Sequence, residues 1–325
     1  IKNEKTSDTP IYPLFMDIAF KLSEKATLLT PARFLFNAGK TPKRWNERML
    51  NDEHLKIVWY KPNSADVFPE VDIKGGVVVT YRDEKTNFGK IGTYTAKHEL
   101  NTILSKVTQR CNHFLSEWVY APESYKFSKA LHNKNPWIKE RLSAGHQYDI
   151  TSNIFEKIPE LLHNTQVSEE YIGLYGRLEN ERVVRWIKKE YIEPHDNLNA
   201  FKIFLPKSNG AGSFGETLTD PVIGRPNYGH TQTFISIGCL QTENEANALL
   251  KYIKTKFSRA LLGILKVTQD NKRAVWRYIP LQDFTDKSDI DWSQPIAQID
   301  AQLYAKYHLT QEEINFIEST VKPME

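Results

Sequence analysis

Three glycines set the sharpest limit on what this chain can fold into. Gly210, Gly212 and Gly215 stand in the spacing G-x-G-x-x-G directly after an apolar run, Phe201-Lys202-Ile203-Phe204-Leu205. In a dinucleotide-binding fold the third glycine sits in the first turn of a helix whose N-terminal amides hold a pyrophosphate. Here Gly215 is followed by ETLTDPVIGRP, and Pro221, Gly224 and Pro226 forbid a helix of useful length. No βαβ unit follows, so a dinucleotide site is set aside. Six glycines still fall between residues 210 and 238. Glycine lets a backbone pass close to another surface, and the question is which surface.

At 325 residues the chain has room for two domains. Its first residue is Ile rather than Met, which leads us to expect a fragment or a processed product. The polar start IKNEKTSDTP is no signal peptide, and no apolar run approaches the roughly 18 residues that span a bilayer. Two cysteines, Cys111 and Cys239, make no disulfide framework and fit a reducing, cytoplasmic location. A net charge of +3 is too mild to name a partner, but its distribution is uneven. Residues 251–273 carry seven basic side chains against Asp270, and the stretch from Asp283 to Asp300 leans acidic. That asymmetry predicts one basic surface, with a solvated helix face as the plainer alternative.

Periodicity divides the chain. Pro10 to Leu22 and Pro42 to Leu50 read as helices, and Ala26–Leu29, Leu55–Tyr60 and Gly75–Tyr81 as strands, the alternation of an α/β domain. A polar, helical stretch follows to about residue 165. From Tyr171 a mixed region begins, with YIGLYG, FKIFL and TFISIG as strands. Thr242-Glu243-Asn244-Glu245 then opens a helix as a capping box. One apolar stripe, Ala246, Leu249, Leu250, Ile253, Phe257, Ala260, Leu261 and Ile264, runs through it, and a last helix covers Gln311 to Thr320.

Several short motifs resemble known sites in part. Gly39-Lys40-Thr41 mimics the end of a P-loop, but Phe34 stands where the first glycine belongs. Glu70, Asp72 and Lys74 resemble half of a restriction nuclease site, though its partner acid should lie farther upstream than Asp66. Cys111 and His113 have no second pair to make a zinc site, so no metal is expected. No G-x-S-x-G motif is present.

Longer stretches carry a resemblance. PIYPLFMDIAFKL, TPARFLFNAG and VFPEVDIKGGV resemble the late methylase motifs of adenine-N6 DNA methyltransferases from bacterial restriction–modification systems. KIFLPKSNGAGSFGE, TQTFISIG, KYIKTKFSRALLGILKVTQDN and VWRYIPLQDFT look like the target-recognition domain of the same family. The resemblance implies three domains: the C-terminal half of a methyltransferase domain over 1–95, a helical connector over 96–165, and a DNA target-recognition domain over 166–325. The expected fold class is α/β, a partial class I (Rossmann-like) sheet followed by a mixed α/β domain. The family's S-adenosylmethionine turn and its Asn-Pro-Pro-Tyr-like motif are not in this sequence, where no two prolines are adjacent. S-adenosylmethionine is therefore expected for the intact enzyme and not for this chain alone. A missing N-terminal catalytic half or a partner subunit would complete it.

What the resemblance implies for residues follows from the chemistry. An adenine inside a duplex must be flipped out and stacked before its amino group is reached. The family's stacking aromatic falls on Phe68, with a packed loop phenylalanine as the alternative reading. Arg33 and Asn37 either meet phosphate or cap the next segment. Contacts to double-stranded DNA are expected from cationic and amide side chains. The candidates are Lys207, Asn209, Arg225, His230, Gln232, Thr268, Gln269, Asn271, Lys272 and Arg273, with Gly210 and Gly212 bringing backbone amides close. Two rivals stand beside this reading: a stand-alone DNA specificity subunit, and a restriction endonuclease using Glu70, Asp72 and Lys74.

Overall fold

The computed structural model describes residues 10–37 and 40–325. The polar start and Ala38-Gly39, including the glycine of the P-loop mimic, lie outside the described residues. The chain divides into two compact units, 1–101 and 102–325.

The first unit opens with α1 (Tyr12–Leu22), which has proline in its first turn, where the missing amide costs nothing. Then come β1 (Lys25–Pro31), a 3₁₀ turn (Ala32–Phe36), α2 (Lys43–Leu50), β2 (Leu55–Lys61) and β3 (Val77–Asp83). The strands order β1-β3-β2, with β3 antiparallel to both neighbours, so β1 and β2 run in one direction. Tyr12, Met16, Phe34, Trp45, Met49, Leu55 and Val78 form the core. Tyr12, Phe34 and Trp45 meet edge-on or tilted, with centroids 5.5–6.5 Å apart. α3 (His98–Arg110) crosses the division at residue 101.

In the second unit, β4 (Val119–Tyr120), α4 (Lys129–Lys134) and α5 (Ile154–Lys157) precede two sheets. β5 (Tyr171–Leu178) and β6 (Glu181–Lys188) form a hairpin through Glu179 and Asn180, both at positive φ as a type I′ turn requires. β7 (Phe201–Pro206), β8 (Val222–Gly224), β9 (Tyr228–His230) and β10 (Phe234–Leu240) follow. The sheets order β6-β5-β9 and β4-β10-β7-β8. α6 (Glu243–Lys254) packs on β7 and β10, and α7 (Lys256–Leu262), α8 (Ile296–Lys306) and α9 (Gln311–Thr320) complete the helical layer.

Three expectations change. The class itself is mixed α/β, and the sheets among the described residues are small and mostly antiparallel. The connector expected over 96–165 is not a separate body. Tyr125, Phe127, Leu131, Ile150 and Ile154 share one core with Ile172, Leu174 and Ile187 of the β5–β6 hairpin. Its helices are short because Pro122, Pro136, Pro159 and Gly145 interrupt them. The long stripe after Thr242 is two helices, broken where Thr255 turns extended and accepts a hydrogen bond from the Ser258 amide. Its opening box also differs. Thr242 Oγ1 accepts from the Glu245 amide as expected, but the Glu245 carboxylate reaches back to the Gln241 amide.

Candidate nucleic-acid interface

The glycine loop is folded on itself. Gly210, Gly212 and Gly215 all have positive φ, the region that favours glycine. The amides of Ala211 and Gly212 donate to the Glu216 carboxylate, at 2.9 and 3.3 Å. Lys266, itself buried, ion-pairs with Glu216 and donates to the carbonyls of Asn209 (2.8 Å) and Thr268 (3.1 Å). Lys266 and these amides hold the Glu216 carboxyl below its ordinary range against the opposing effect of burial. A Cβ on Gly212 would lie 2.5 Å from the Thr268 amide nitrogen, and one on Gly215 would collide with the carbonyl of Thr320. The glycines thus admit the chain's own backbone. A loop whose amides already hold an internal carboxylate does not fit the phosphates or ribose of a nucleotide cofactor.

Beside that loop, two segments pair. The Asn209 amide donates to Gln269 O at 2.7 Å, the Asn271 amide to Lys207 O at 2.8 Å, and Ser208 bridges Asp270. Asn209 and Asn271 turn inward and are buried. Asn209 Nδ2 donates to Thr217 O at 2.9 Å, and Asn271 Nδ2 to Pro206 O at 3.0 Å. Lys207, Gly210, Thr268, Gln269, Lys272 and Arg273 are exposed on this arm.

The remaining candidates sit around β8 and β9. Arg225 is exposed and its Nη2 lies 3.6 Å from Glu243 Oε1, while Gln232 is half-buried. His230 is interior. Its Nδ1 lies 3.0 Å from Thr231 O and its Nε2 3.3 Å from Ser236 Oγ. Ser236 Oγ in turn accepts from Asn197 Nδ2, and Tyr125 OH donates to Asn197 Oδ1. Burial pushes the His230 imidazole down to about 3, so at neutral pH it is an uncharged member of a core network and presents nothing to a phosphate.

Lys202 was not singled out in the sequence, yet it organises this end of β7. It is fully buried, and its ammonium donates to the carbonyls of Leu198, Ala200 and Arg225 at 3.1, 2.8 and 3.1 Å. Burial lowers it to about 7, while three carbonyls occupy its three donors. A lysine inside an apolar strand is the one sequence signal that marks it.

The basic run 251–273 is not a free cationic face. Lys251 caps the carbonyls of Trp292, Ser293 and Gln294, and Lys254 donates to Glu325 O. Lys256 pairs with Glu318 at 2.6 Å. Arg259 is buried against the carbonyls of Lys254, Glu216 and Lys322. Lys272 pairs with Asp270 at 2.8 Å, and Arg273 Nε donates to Ser116 O. Most of these cations bind the protein's own acids and carbonyls, which is why their count overstated the surface charge.

In the first unit, Phe68 is 38% exposed on the loop between β2 and β3. Buried Ser64 staples that loop: its Oγ donates to Val71 O and accepts from the Ile73 amide, and its carbonyl accepts from the Phe68 amide. Arg33 Nε donates to Lys74 O at 2.8 Å, so Arg33 closes the loop. Asn37 sits at positive φ and its Oδ1 accepts from Asn46 Nδ2. Asp72 and Lys74 form an exposed pair at 2.6 Å. Among the described residues, no group of three or more His, Cys, Asp or Glu is placed to hold a metal.

Residues 1–68 match the model of a family described as Eco57I restriction-modification methylase. That match supports a restriction–modification role. The comparison with curated proteins gives no match. Among solved structures, the type IIG restriction endonuclease BpuSI aligns at TM-score 0.31 and 10% identity, over 97% of this chain and 48% of that one. This chain thus spans about half the length of that protein. A likeness that loose carries no inference about fold or activity. Among the described residues, no helix is long and apolar enough to cross a membrane.

Proposed function

We propose that this chain is the DNA-reading portion of a restriction–modification adenine-N6 DNA methyltransferase, severed from the part that binds S-adenosylmethionine and transfers the methyl group. One observation carries the reading: among the described residues of the first unit, nothing covers the outer apolar face of α1. α1 is apolar on both sides. Tyr12 and Met16 enter the core, while Ile11, Leu14, Phe15, Ile18 and Leu22, at helical spacing, are 53–81% exposed. Apart from Asp17, which is held by Trp45 and Arg48, and Lys21, the helix offers apolar side chains on two faces, and a second apolar face is one that another body would cover. Each such side chain left in water forgoes about 1.5–3 kcal/mol. β1 has a hydrogen-bonded neighbour on one edge only among the described residues. A helix and a strand edge left open together are what a catalytic half of the same sheet, in the same chain or a partner, would cover. The methylase family match falls on this same segment.

Within this reading Phe68 stacks the flipped adenine. Lys207, Arg225, Thr268, Gln269, Lys272 and Arg273 meet the DNA from the second unit, and Asn209, His230 and Asn271 hold the backbone that presents them. No step of methyl transfer is assigned to residues of this chain. The test is binding to a labelled mixed-sequence duplex across a salt series, with and without S-adenosylmethionine. The expected result is steeply salt-dependent binding that ignores the cofactor. Absence of binding at every salt concentration overturns the reading.

A further inference from the structure

We propose that the turn Val267-Thr268-Gln269 reads an A·T pair in the major groove, Gln269 engaging the adenine edge and Val267 packing on the thymine methyl. This rests on the DNA-reading role above and names what that role recognises. Three observations place it there. The first is an abrupt change in burial. Lys266 is buried at 4% exposure, and the next residue, Val267, is 74% exposed, with Thr268 and Gln269 exposed after it. A valine held that far out gains nothing from its own fold.

The second is rigidity. Lys266 clamps the carbonyls of Asn209 and Thr268 from beneath, and the Asn209 amide fixes Gln269 O. Gly212 lies against the Thr268 backbone. A tip with a fixed backbone loses little entropy on binding. The third is chemistry and shape. The segments around Ser208 and Asp270 form an antiparallel pair, and the major groove admits a two-stranded ribbon. A glutamine amide offers one acceptor and two donors, matching adenine N7 and N6, and an apolar side chain meets the thymine methyl. Exposed Lys207 and Lys272 flank the tip, where phosphates would lie.

The experiment is selection from a duplex pool with a randomised centre, using the whole chain, followed by affinities for the selected site and its single-base variants. Wild type should prefer A·T at one position by on the order of 5- to 150-fold. Gln269→Ala should flatten that position alone. Replacing thymine there by uracil, which lacks the methyl, should weaken wild type but leave Val267→Ala unchanged. Lys207→Ala should instead weaken all sequences alike and lower the salt slope by about 1. If wild type selects a site and both tip variants keep every base preference, the tip is not the reader, and DNA recognition by other residues stands. If wild type binds DNA with no base preference, the tip assignment also falls. If it binds no DNA, both readings fall.

Discussion

Replacing Gly212 by alanine tests what the glycine cluster is for. The perturbation has two parts. Gly212 has φ +82, and a left-handed conformation costs an alanine roughly 1–2 kcal/mol. Its new Cβ would also press on the Thr268 backbone, at 2.5 Å from N and 2.6 Å from Cα, which cannot swing aside as a side chain can. Overpacking of that kind costs about 1–3 kcal/mol. The sum is a loss of about 2–5 kcal/mol. Gly145 supplies the control: it belongs to the same unit, has φ +80, and an added Cβ there meets nothing within 4 Å. Gly145→Ala carries the conformational cost alone, about 1–2 kcal/mol. Urea unfolding followed by tryptophan fluorescence measures both variants against wild type. In a thermal scan the Gly212 variant should melt roughly 4–20 °C lower, given about 2–4 °C per kcal/mol for a unit of this size. Equal losses in the two variants would refute the reasoning, because the loop would then not be pressed against the protein's own backbone.

Lys266→Met leaves the half-buried Glu216 carboxylate with only the Ala211 and Gly212 amides and should cost about 1–3 kcal/mol in urea unfolding, with Glu216→Gln/Lys266→Met recovering part of it; a single variant as stable as wild type refutes the pairing. Asp300 accepts the amides of Lys256 and Phe257, and burial raises its carboxyl from 3.8 to about 6. A raised carboxyl means the folded state holds the proton more tightly, so this group's contribution is full below about pH 4 and is lost as pH rises through 6. The loss is about 3 kcal/mol. Asp300→Asn should therefore gain on wild type between pH 4 and pH 7, read as the difference in urea midpoints at the two values. Leu14→Lys/Phe15→Lys should leave the unfolding midpoint within about 0.5 kcal/mol, since both are exposed, while lowering the fluorescence of a bound apolar dye. A large loss of stability would mean the outer face of α1 is already covered.

The sequence by itself determined the elements whose signals are local. Pro13 within the first turn of α1, the β-branched run of β3, the Thr242 cap and the inward stripe of α6 each act over a few residues, so periodicity and capping chemistry found them. It also disqualified the glycine motif, because Pro221 and Pro226 forbid the following helix whatever surrounds them. Most of what decides function lay beyond that range. Whether Lys251, Lys256 or Arg259 faces solvent depends on carbonyls and acids tens of residues away, so a count of cations predicted a basic face that folding largely consumed. His230 and Asn271 read as DNA contacts because their side chains suit bases, but strand pairing turned them into the core. Lys202 stood out only as a lysine inside an apolar strand, because nothing local shows that three carbonyls converge on it. The sheet direction in the first unit could not be read either, since strand spacing does not say which neighbour a strand chooses. Only the tertiary structure set Val267 in water beside a buried Lys266. That contrast arises because one ammonium, by collecting a carbonyl and a carboxylate from the glycine loop and the carbonyl of Thr268, fixes the backbone that holds the next side chain out.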